Sequence, residues 1–301
     1  MIGIVTDYAG KRTALPALLQ WSVKRTDGEP CDSFSVQFAC GRKTVSELEG
    51  VTEFQAVEAG KVVFTGIVDD FELRLGRDGA LAEITGRGMA GRLMDMQVPA
   101  AEYVTAQLED ILNAYVRPCG ITKIEADAMP PVQQFGVQTG TTCYQALAGF
   151  CRHSADIFPR FLADGTLVLR KNALGKQGWL GDEILQAQYV RNRYGVAARQ
   201  VLINTRNGSM QAADYAEFQK LGGTRVQYAG MTGNKIRASF RTAKQRLDDA
   251  KRDEKLLYVT AEPLDMVSVK LDALGISGTF TVQEAQSGCD ETGATCTLIL
   301  R

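Results

Sequence analysis

Histidine is almost missing from this chain of 301 residues: His153 is the only one. That removes the most frequent general base and metal ligand from nearly any active site one could build here. Tryptophan is scarce too. Trp21 and Trp179 stand far apart, too isolated to suggest the exposed aromatic clusters of a carbohydrate- or receptor-binding module. The seven cysteines (Cys31, Cys40, Cys119, Cys143, Cys151, Cys289 and Cys296) contain no C-x-x-C, which excludes zinc-ribbon and thioredoxin-like spacing. Their odd number fits reduced, mostly buried thiols in a reducing compartment, although Cys289 and Cys296 flank the last hairpin loop and could face each other. Neither sign of charge dominates. Lys and Arg total 34 against 35 Asp and Glu, a net charge of −1, so a general basic surface for nucleic acid is not suggested. No apolar run is long enough to span a bilayer. Met1 to Gly10 has no basic stretch followed by an apolar one. These absences lead us to expect a soluble protein made in the cytoplasm, with no membrane partner and no specific nucleic acid.

What is present is ordinary globular material, 45% hydrophobic and 23% charged, long enough for two or three domains with substantial cores. The stretch from Val62 to Asp95 organises the rest. Alternation places Phe64, Gly66, Val68 and Asp70 on one face of a strand and Thr65, Ile67, Asp69 and Phe71 on the other. Arg77-Asp78-Gly79-Ala80 supplies a turn, since Asp-Gly tolerates the positive φ of tight hairpins. Leu81 to Thr85 returns, Gly86-Arg87-Gly88 is expected to break the pairing, and Leu93, Met94 and Met96 tuck toward a core. Upstream, residues 1–30 are ambiguous apart from strand-like alternation at Trp21 to Lys24. Phe34, Val36 and Phe38 then mark one strand face, and a hairpin turns near Gly60. At least five short strands before residue 90 predict a small barrel or sandwich.

Composition changes after Pro99. Tyr103 to Arg117 carries apolar residues at helical spacing (Val104, Leu108, Ile111, Leu112, Tyr115, Val116), and Arg117-Pro118-Cys119-Gly120 ends it. Thr142 and Gln145 have the form of a capping box, opening a helix whose buried stripe is Cys143, Leu147, Phe150 and Cys151. Phe161 to Leu169 reads as an Asp-Gly hairpin. From Gly178 the pattern is β again, with a strand over Arg199 to Thr205, a turn at Asn207-Gly208, a charged helix over 239–256 and two final strand pairs. In these, Val267, Val269 and Leu271 share a face, as do Phe280 and Val282, and Leu298 and Leu300. The predicted fold is α+β but mainly β: a first β-barrel-like domain over 1–97, a small α/β domain over 98–175, and a second β-barrel-like domain over 176–301 carrying the inserted helix. A loose internal echo supports two similar β domains. Gly66 to Arg87 and Gly278 to Arg301 both read strand, acid, glycine-containing loop, strand, Arg, with Asp78-Gly79-Ala80 matching Gly293-Ala294 in loop position.

No constellation of catalytic residues emerges. Asp69 and Asp70 are neighbours in a strand and point to opposite faces, so they cannot act as a carboxylate pair on one substrate. Cys151 and His153 diverge by about 200° at the end of a helix, which misplaces a nucleophile–base dyad. Gly86-x-Gly88-x-x-Gly91 matches a dinucleotide fingerprint in spacing but lacks the parallel βαβ context and the acidic partner. The eight basic and four acidic residues expected over Lys235 to Lys255 read as a solvated helix face before they read as a contact surface for an acidic protein. No catalytic, cofactor-binding or metal-ligating residue is therefore assigned, and no cofactor.

The phrase VFTGIVDDFELRL…ITGRGMAGRLMD resembles the hallmark region of phage tail baseplate hub proteins, the Mu-like and PBSX-like tail proteins related to late control protein D. The positions that carry the resemblance are Phe64, Gly66, Val68, Asp69, Gly86, Arg87, Leu93 and Asp95. Val137 to Thr142, Phe161 to Leu169 and Asp265 to Val269 match in the same order, so the resemblance covers most of the chain. It implies two barrel-like domains per chain and a homotrimer whose six barrels form a pseudo-sixfold ring. Such a ring adapts the sixfold tail tube to a threefold central spike. The implied partners are further copies of the chain, the tail tube protein, the central spike protein and other baseplate proteins. The implied location is the baseplate of the virion tail, assembled in the bacterial host cytoplasm, and the implied protein is not an enzyme. A cell-wall hydrolase carried on the tail tip, or a receptor-binding module, is the alternative. The chain is short for that family, so peripheral insertions of relatives are expected to be absent.

Overall fold

The computed structural model describes residues 1–27, 30–41, 46–76, 79–171, 177–180, 187–189, 197–205, 207–220, 223–231, 254–257, 261–291 and 293–300. The chain divides into two compact units, Met1–Gly181 with Tyr258–Leu298, and Asp182–Leu257 with Ile299–Arg301. The architecture is mainly β, as the alternation predicts.

Seven strands open the first unit: β1 (Ile2–Asp7), β2 (Arg12–Ala14), β3 (Leu18–Thr26), β4 (Ser33–Ala39), β5 (Val51–Glu58), β6 (Lys61–Gly76) and β7 (Gly79–Gly88). The ambiguous N-terminal stretch thus holds three of them. They pair antiparallel in the order β2-β1-β5-β6-β7-β4-β3, and the Ile276–Asp290 strand continues the sheet beyond β3. Among the described residues no pairing joins the two ends, so this is an open sheet and not the closed barrel that the strand spacing suggested. It is nonetheless strongly curled. Phe34 of β4 and Phe54 of β5 stand three strands apart, roughly 14 Å in a flat sheet. Their rings stack with centroids 4.3 Å apart and planes within 10°. Only a sheet wrapped around its own inner face brings them together. Phe64 completes the aromatic group, and Val5, Val23, Val36, Phe38, Ala82 and Ile84 surround it.

The β5–β6 turn falls on Ala59 and Gly60, both at positive φ (48° and 76°), as a two-residue hairpin requires. The β6–β7 hairpin departs from simple alternation at one point. Val68 pairs with Gly86 but Asp70 with Thr85, so Asp69 is an extra residue in a β-bulge. A bulge reverses the parity of everything beyond it. Phe71, expected on the face opposite Phe64 and Val68, therefore packs with them against the same core, and Asp70 is exposed. Pairing also runs through Gly88 instead of breaking at Gly86, because Arg87 and Gly88 stay in register with Ile67 and Gly66.

A second core lies on the other side of this hairpin. It is built from Met89 to Leu169 and receives Ile67 from the face of β6 that points away from the phenylalanines. Leu93 of the Ala90–Asp95 helix is fully buried there, Met94 only partly, while Met96 is exposed. The Cys143–Ala155 helix dominates. The Thr142 hydroxyl accepts from the Gln145 backbone N–H at 3.1 Å and the Gln145 side-chain Oε1 accepts from the Thr142 N–H at 3.0 Å, the reciprocal box read from the sequence. Cys143, Leu147, Phe150 and Cys151 form its buried stripe. The helix expected from Tyr103 begins only at Leu108. Ala101–Ala106 is a strand, paired with Val132–Val137, and Val104 is 84% exposed instead of lying on an apolar stripe. Gln107 starts the helix instead, its N–H donating to Asp110 at 2.9 Å. The Phe161–Leu169 hairpin forms as expected about Gly165, at φ 83°.

The closing strands of the chain run Met266–Leu271, then Ile276–Asp290, then Gly293–Leu300. Val267, Val269, Val282 and Leu298 are buried, as their alternation predicts, and Phe280 is half-buried. The internal echo has a structural counterpart: a second long hairpin whose return strand starts on Gly293 at φ 122°, as β7 starts on Gly79 at φ 115°. In the second unit, Arg199–Asn204 is the central strand of three, antiparallel to Met210–Asp214 and parallel to Val226–Met231. The Asn207-Gly208 turn is present, with Gly208 at φ 70°. Of the helix expected over 239–256, residues 239–253 lie outside the described residues. Glu254–Leu257 is a strand paired with Ala187–Tyr189.

Candidate assembly surface

The residues of the hallmark stretch share one locality, and each has a physical reason. Gly66 and Gly86 face the aromatic core. A Cβ on Gly66 would stand 2.2 Å from the Arg87 carbonyl oxygen, and one on Gly86 would stand 2.0 Å from that of Ile67. The same Cβ positions meet the rings of Phe64 and Phe34 at 2.8 and 2.6 Å. The glycines let β6 and β7 approach closely and let the rings lie flat over the sheet. Beyond them, Arg87 binds two carboxylates at once. Its Nε and Nη2 each donate to Asp69 at 2.7 Å, and its Nη1 and Nη2 donate to Asp95 at 2.9 and 2.8 Å. The bulge at Asp69 aims that side chain at Arg87, and the short helix carrying Leu93 delivers Asp95. Arg87 holds the Asp95 carboxyl below the ordinary range, and the two acids raise the Arg87 guanidinium in turn. This doubly bidentate node ties the bulged strand to the second core. Sequence reasoning found its residues as a motif but not their mutual contact, which depends on the bulge.

The residues weighed for chemistry are occupied with structure. Asp69 serves Arg87, and Asp70 lies exposed beside it. Cys151 is fully buried, and burial pushes its thiol up to about 12. The His153 Nδ1 lies 2.6 Å from the Gly149 carbonyl within its own helix, and the ring meets Phe135 edge-on. In Gly86-x-Gly88-x-x-Gly91 the first glycine faces a strand carbonyl, the second Asp32 and the third the Ile67 side chain. The spacing thus reflects packing against neighbours. Cys296 accepts from the Ser287 hydroxyl at 3.6 Å, while Cys289 points to the Asp290 carbonyl, so the two do not pair. Trp21 is half-buried against the aromatic core. The side chain of Trp179 and the segment 235–253 lie outside what is described. Among the described residues no cluster of His, Cys, Asp or Glu could hold a metal, and no helix is long and apolar enough to cross a membrane.

What the first unit does offer is apolar surface on its projecting hairpin. Past the bulge, Leu73 and Leu75 carry the core-facing side of β6 beyond the core's end, and Leu75 is 87% exposed. The opposite side carries Arg74 paired with Glu72 and Glu83. The projection is amphipathic, with an uncovered apolar edge. In the second unit the registers set Tyr228 beside Val201 and Met210 beside Ile203 on one sheet face, with both Tyr228 and Met210 exposed.

No protein-family model matches this sequence, and no curated protein does. Solved structures do match. The tail protein from Neisseria meningitidis MC58 superposes with a TM-score of 0.80 over 99% of this chain and 95% of its own, at 17% identity. The 43 kDa tail protein of prophage MuSo2 from Shewanella oneidensis superposes with a TM-score of 0.77 over 100% and 98%, at 15% identity. The Escherichia coli c3393 protein matches with a TM-score of 0.57 over 94% of this chain and 73% of its own, at 9% identity. It is described as a type VI secretion component with structural similarity to the phage T4 tail proteins gp27 and gp5. The fold of this chain is the fold of phage tail proteins, in agreement with the resemblance read from its hallmark stretch.

Proposed function

We propose that this chain is a structural baseplate hub protein of a phage or phage-like tail. The observation that carries the reading is the likeness of fold to two tail proteins along essentially the whole of all three chains. In this reading three copies form a ring, each contributing two curled β domains, over 1–97 and 176–301, on either side of the α/β domain at 98–175. Two separate cores support the separation of the first two of these domains. One core is drawn from Val5 to Ile84 and the other from Met89 to Leu169. The two long hairpins also begin their return strands on equivalent glycines. Six similar β domains arranged about a threefold axis present a pseudo-sixfold face to a tail tube and a threefold face to a central spike. The tail tube protein, the spike and other baseplate proteins are then the partners. The location is the virion tail, after assembly in the host cytoplasm.

The function is mechanical in this proposal and not catalytic. The open sheet ends and the uncovered apolar edge at Leu73 and Leu75 are the features a neighbouring subunit would cover. Ring closure would bury interfaces of the several-thousand Å2 class of obligate assemblies. Mass by light scattering, followed by electron-microscope class averages, tests it. A trimeric ring with apparent sixfold symmetry is the expected result. A compact monomer, alone and in the presence of tube and spike proteins, would overturn it.

A further inference from the structure

Two stretches of the first sheet have no strand on one side. One is β2. The Asp7 N–H donates to the Lys11 carbonyl at 3.1 Å and the Leu15 N–H to the Gly3 carbonyl at 2.8 Å. Bonding alternates along an antiparallel pair, so Arg12 and Ala14 turn their N–H and C=O groups away from β1. Among the described residues no strand meets them. The other stretch is the far end of β6. β5 pairs with β6 only from Lys61 to Ile67, whereas β7 pairs with it as far as Gly76. From Asp70 to Gly76, the edge of β6 away from β7 is open among the described residues. The two edges also match face for face. Thr13 pairs with the core residue Val5 and so lies on the inner face. Beside it is a hollow of about 260 Å3 lined by Val5, Thr13, Leu15, Pro16 and Leu48. The β6 end carries Leu73 and Leu75 on that same face, 37% and 87% exposed. On the outer face, Arg12 and Glu53 border a second hollow of about 210 Å3. Glu53 is taken by Arg92, and among the described residues Arg12 is bonded only to the Gln55 Oε1, at 2.5 Å. Arg12 is thus a cation with no carboxylate. Glu72 on the outer face of β6 is the reverse case: its cation, Arg74, has a second acid in Glu83.

We propose that the β2 edge is a strand-accepting site and that its occupant is the projecting β6 end of a second copy of this chain. The sheet of one copy then continues into the next. Arg12 and Ala14 supply the backbone hydrogen bonds, Leu73 and Leu75 of the incoming strand enter the inner hollow, and Glu72 comes to Arg12 on the outer face. Arg74 keeps Glu83 when Glu72 is shared. The giving and receiving surfaces differ, so the contact is heterologous. Each copy gives one β6 end and receives one, which closes a ring where the rotation between copies allows it. The contact also covers both open edges, the places where an isolated sheet invites uncontrolled pairing. The inference rests on the reading of the chain as a ring-forming subunit and names the contact that would close the ring.

The test uses the full chain, with circular dichroism to show that each variant keeps the parent's fold. A preparation carrying Thr13→Cys is mixed with one carrying Leu73→Cys or Leu75→Cys and oxidised. Non-reducing peptide mapping should find residue 13 of one copy linked to residue 73 or 75 of another. Leu75→Ser should raise the dissociation constant of the assembly roughly ten- to a hundredfold, the loss of one buried leucine. Arg12→Glu should weaken assembly by at least about tenfold, and Glu72→Arg added to the same chain should recover most of that loss. If the parent forms a ring, yet no such link appears and these variants assemble as the parent does, the contact is overturned while the ring reading stands. The link and the charge rescue in an open filament would keep the contact and overturn the ring. A parent that stays monomeric, alone and with tube and spike proteins, would overturn both.

Discussion

Replacing Gly86 with alanine tests the central claim about the hallmark stretch, that its glycines mark close backbone approach. The new Cβ would lie 2.0 Å from the Ile67 carbonyl oxygen and 2.6 Å from Cε1 of Phe34. To restore ordinary contact, β6 must move away from β7 by roughly 1 Å, which stretches N–H···O bonds beyond useful length. Gly86 is paired on both sides, with Val68 of β6 and Phe34 of β4, so there is no free edge to move into. Losing two or three ladder bonds at about 1 kcal/mol each, and displacing part of the Phe34 ring from its stack, comes to roughly 3–5 kcal/mol. For a unit of this size that lowers the thermal midpoint by roughly 6–20 °C. Urea unfolding followed by circular dichroism measures it directly. Gly91→Ala is the internal comparison. Its Cβ would crowd the flexible end of Ile67, at 2.6 Å from Cδ1 and 3.3 Å from Cγ1, and stand at an ordinary 3.5 Å from the Arg87 Cβ, so about 1 kcal/mol or less is expected. Gly41→Ala, with nothing within 4 Å, should be neutral. If Gly86→Ala unfolds within about 1 kcal/mol of the parent, the close approach is not what selects glycine there, and the reasoning fails.

Phe54→Ala should cost about 3–5 kcal/mol plus the stacking with Phe34, read from the same urea curves. Arg87→Lys should behave almost as Arg87→Ala, losing about 1–3 kcal/mol, because an ammonium cannot hold Asp69 and Asp95 by paired bonds at once. A double-mutant cycle with Asp95→Asn should show coupling, and strict additivity would refute the node. Asp32 is pushed up to about 6, first by burial, against the Thr26 N–H and Arg25 that favour its charge. An acid raised on folding stabilises the fold fully below the usual carboxylate value near 4, and that contribution is lost as pH rises through about 6. Asp32→Asn should therefore gain on the parent by up to about 3 kcal/mol between pH 4 and pH 8, and a pH-independent difference would contradict the assignment. Thr142→Ala should lower stability by about 1 kcal/mol through loss of the cap, measurable as a shift in urea midpoint.

Much of this fold is legible in the sequence where local chemistry decides it. The Cys143–Ala155 helix announces its start by Thr142 and Gln145 and its buried face by spacing, and both hold because cap and stripe are properties of a few neighbouring residues. The turns at Gly60, Gly165 and Gly208 are legible for the same reason. The failures are non-local. Ala101–Ala106 carries residues at helical spacing, yet it pairs with Val132–Val137, a partner some thirty residues away that periodicity cannot see. The bulge at Asp69 is set by how β7 must meet two strands, and it reverses the faces assigned to Asp70 and Phe71. Closure of the first sheet is not legible, because strand count and turn spacing are the same for a curled open sheet and for a barrel.

The bulge and the glycines answer one geometric demand. A strand paired on both edges and packed on both faces has no solvent side to absorb its twist, and β6 carries the phenylalanine core on one face and Ile67 with the second core on the other. Curling tightly enough to stack Phe34 on Phe54 brings β6 and β7 so close that side chains at Gly66 and Gly86 are excluded. The extra residue at Asp69 bends β6 and increases its local twist just past that point. It has two outcomes: Asp69 turns to Arg87, which locks the hairpin to the helix through Asp95, and Phe71, Leu73 and Leu75 turn to the apolar side of the projecting end. The residues that make the hallmark recognisable are thus those that let one hairpin serve two cores, and the exposed leucines beyond the bulge follow from the same parity change. Deleting Asp69 would reverse that change and move Glu72 and Arg74 of β6 to the apolar side, parting Arg74 from Glu83 of β7. The internal packing and the proposed subunit contact would then fail together, whereas Leu75→Ser should spare the fold and weaken only the assembly.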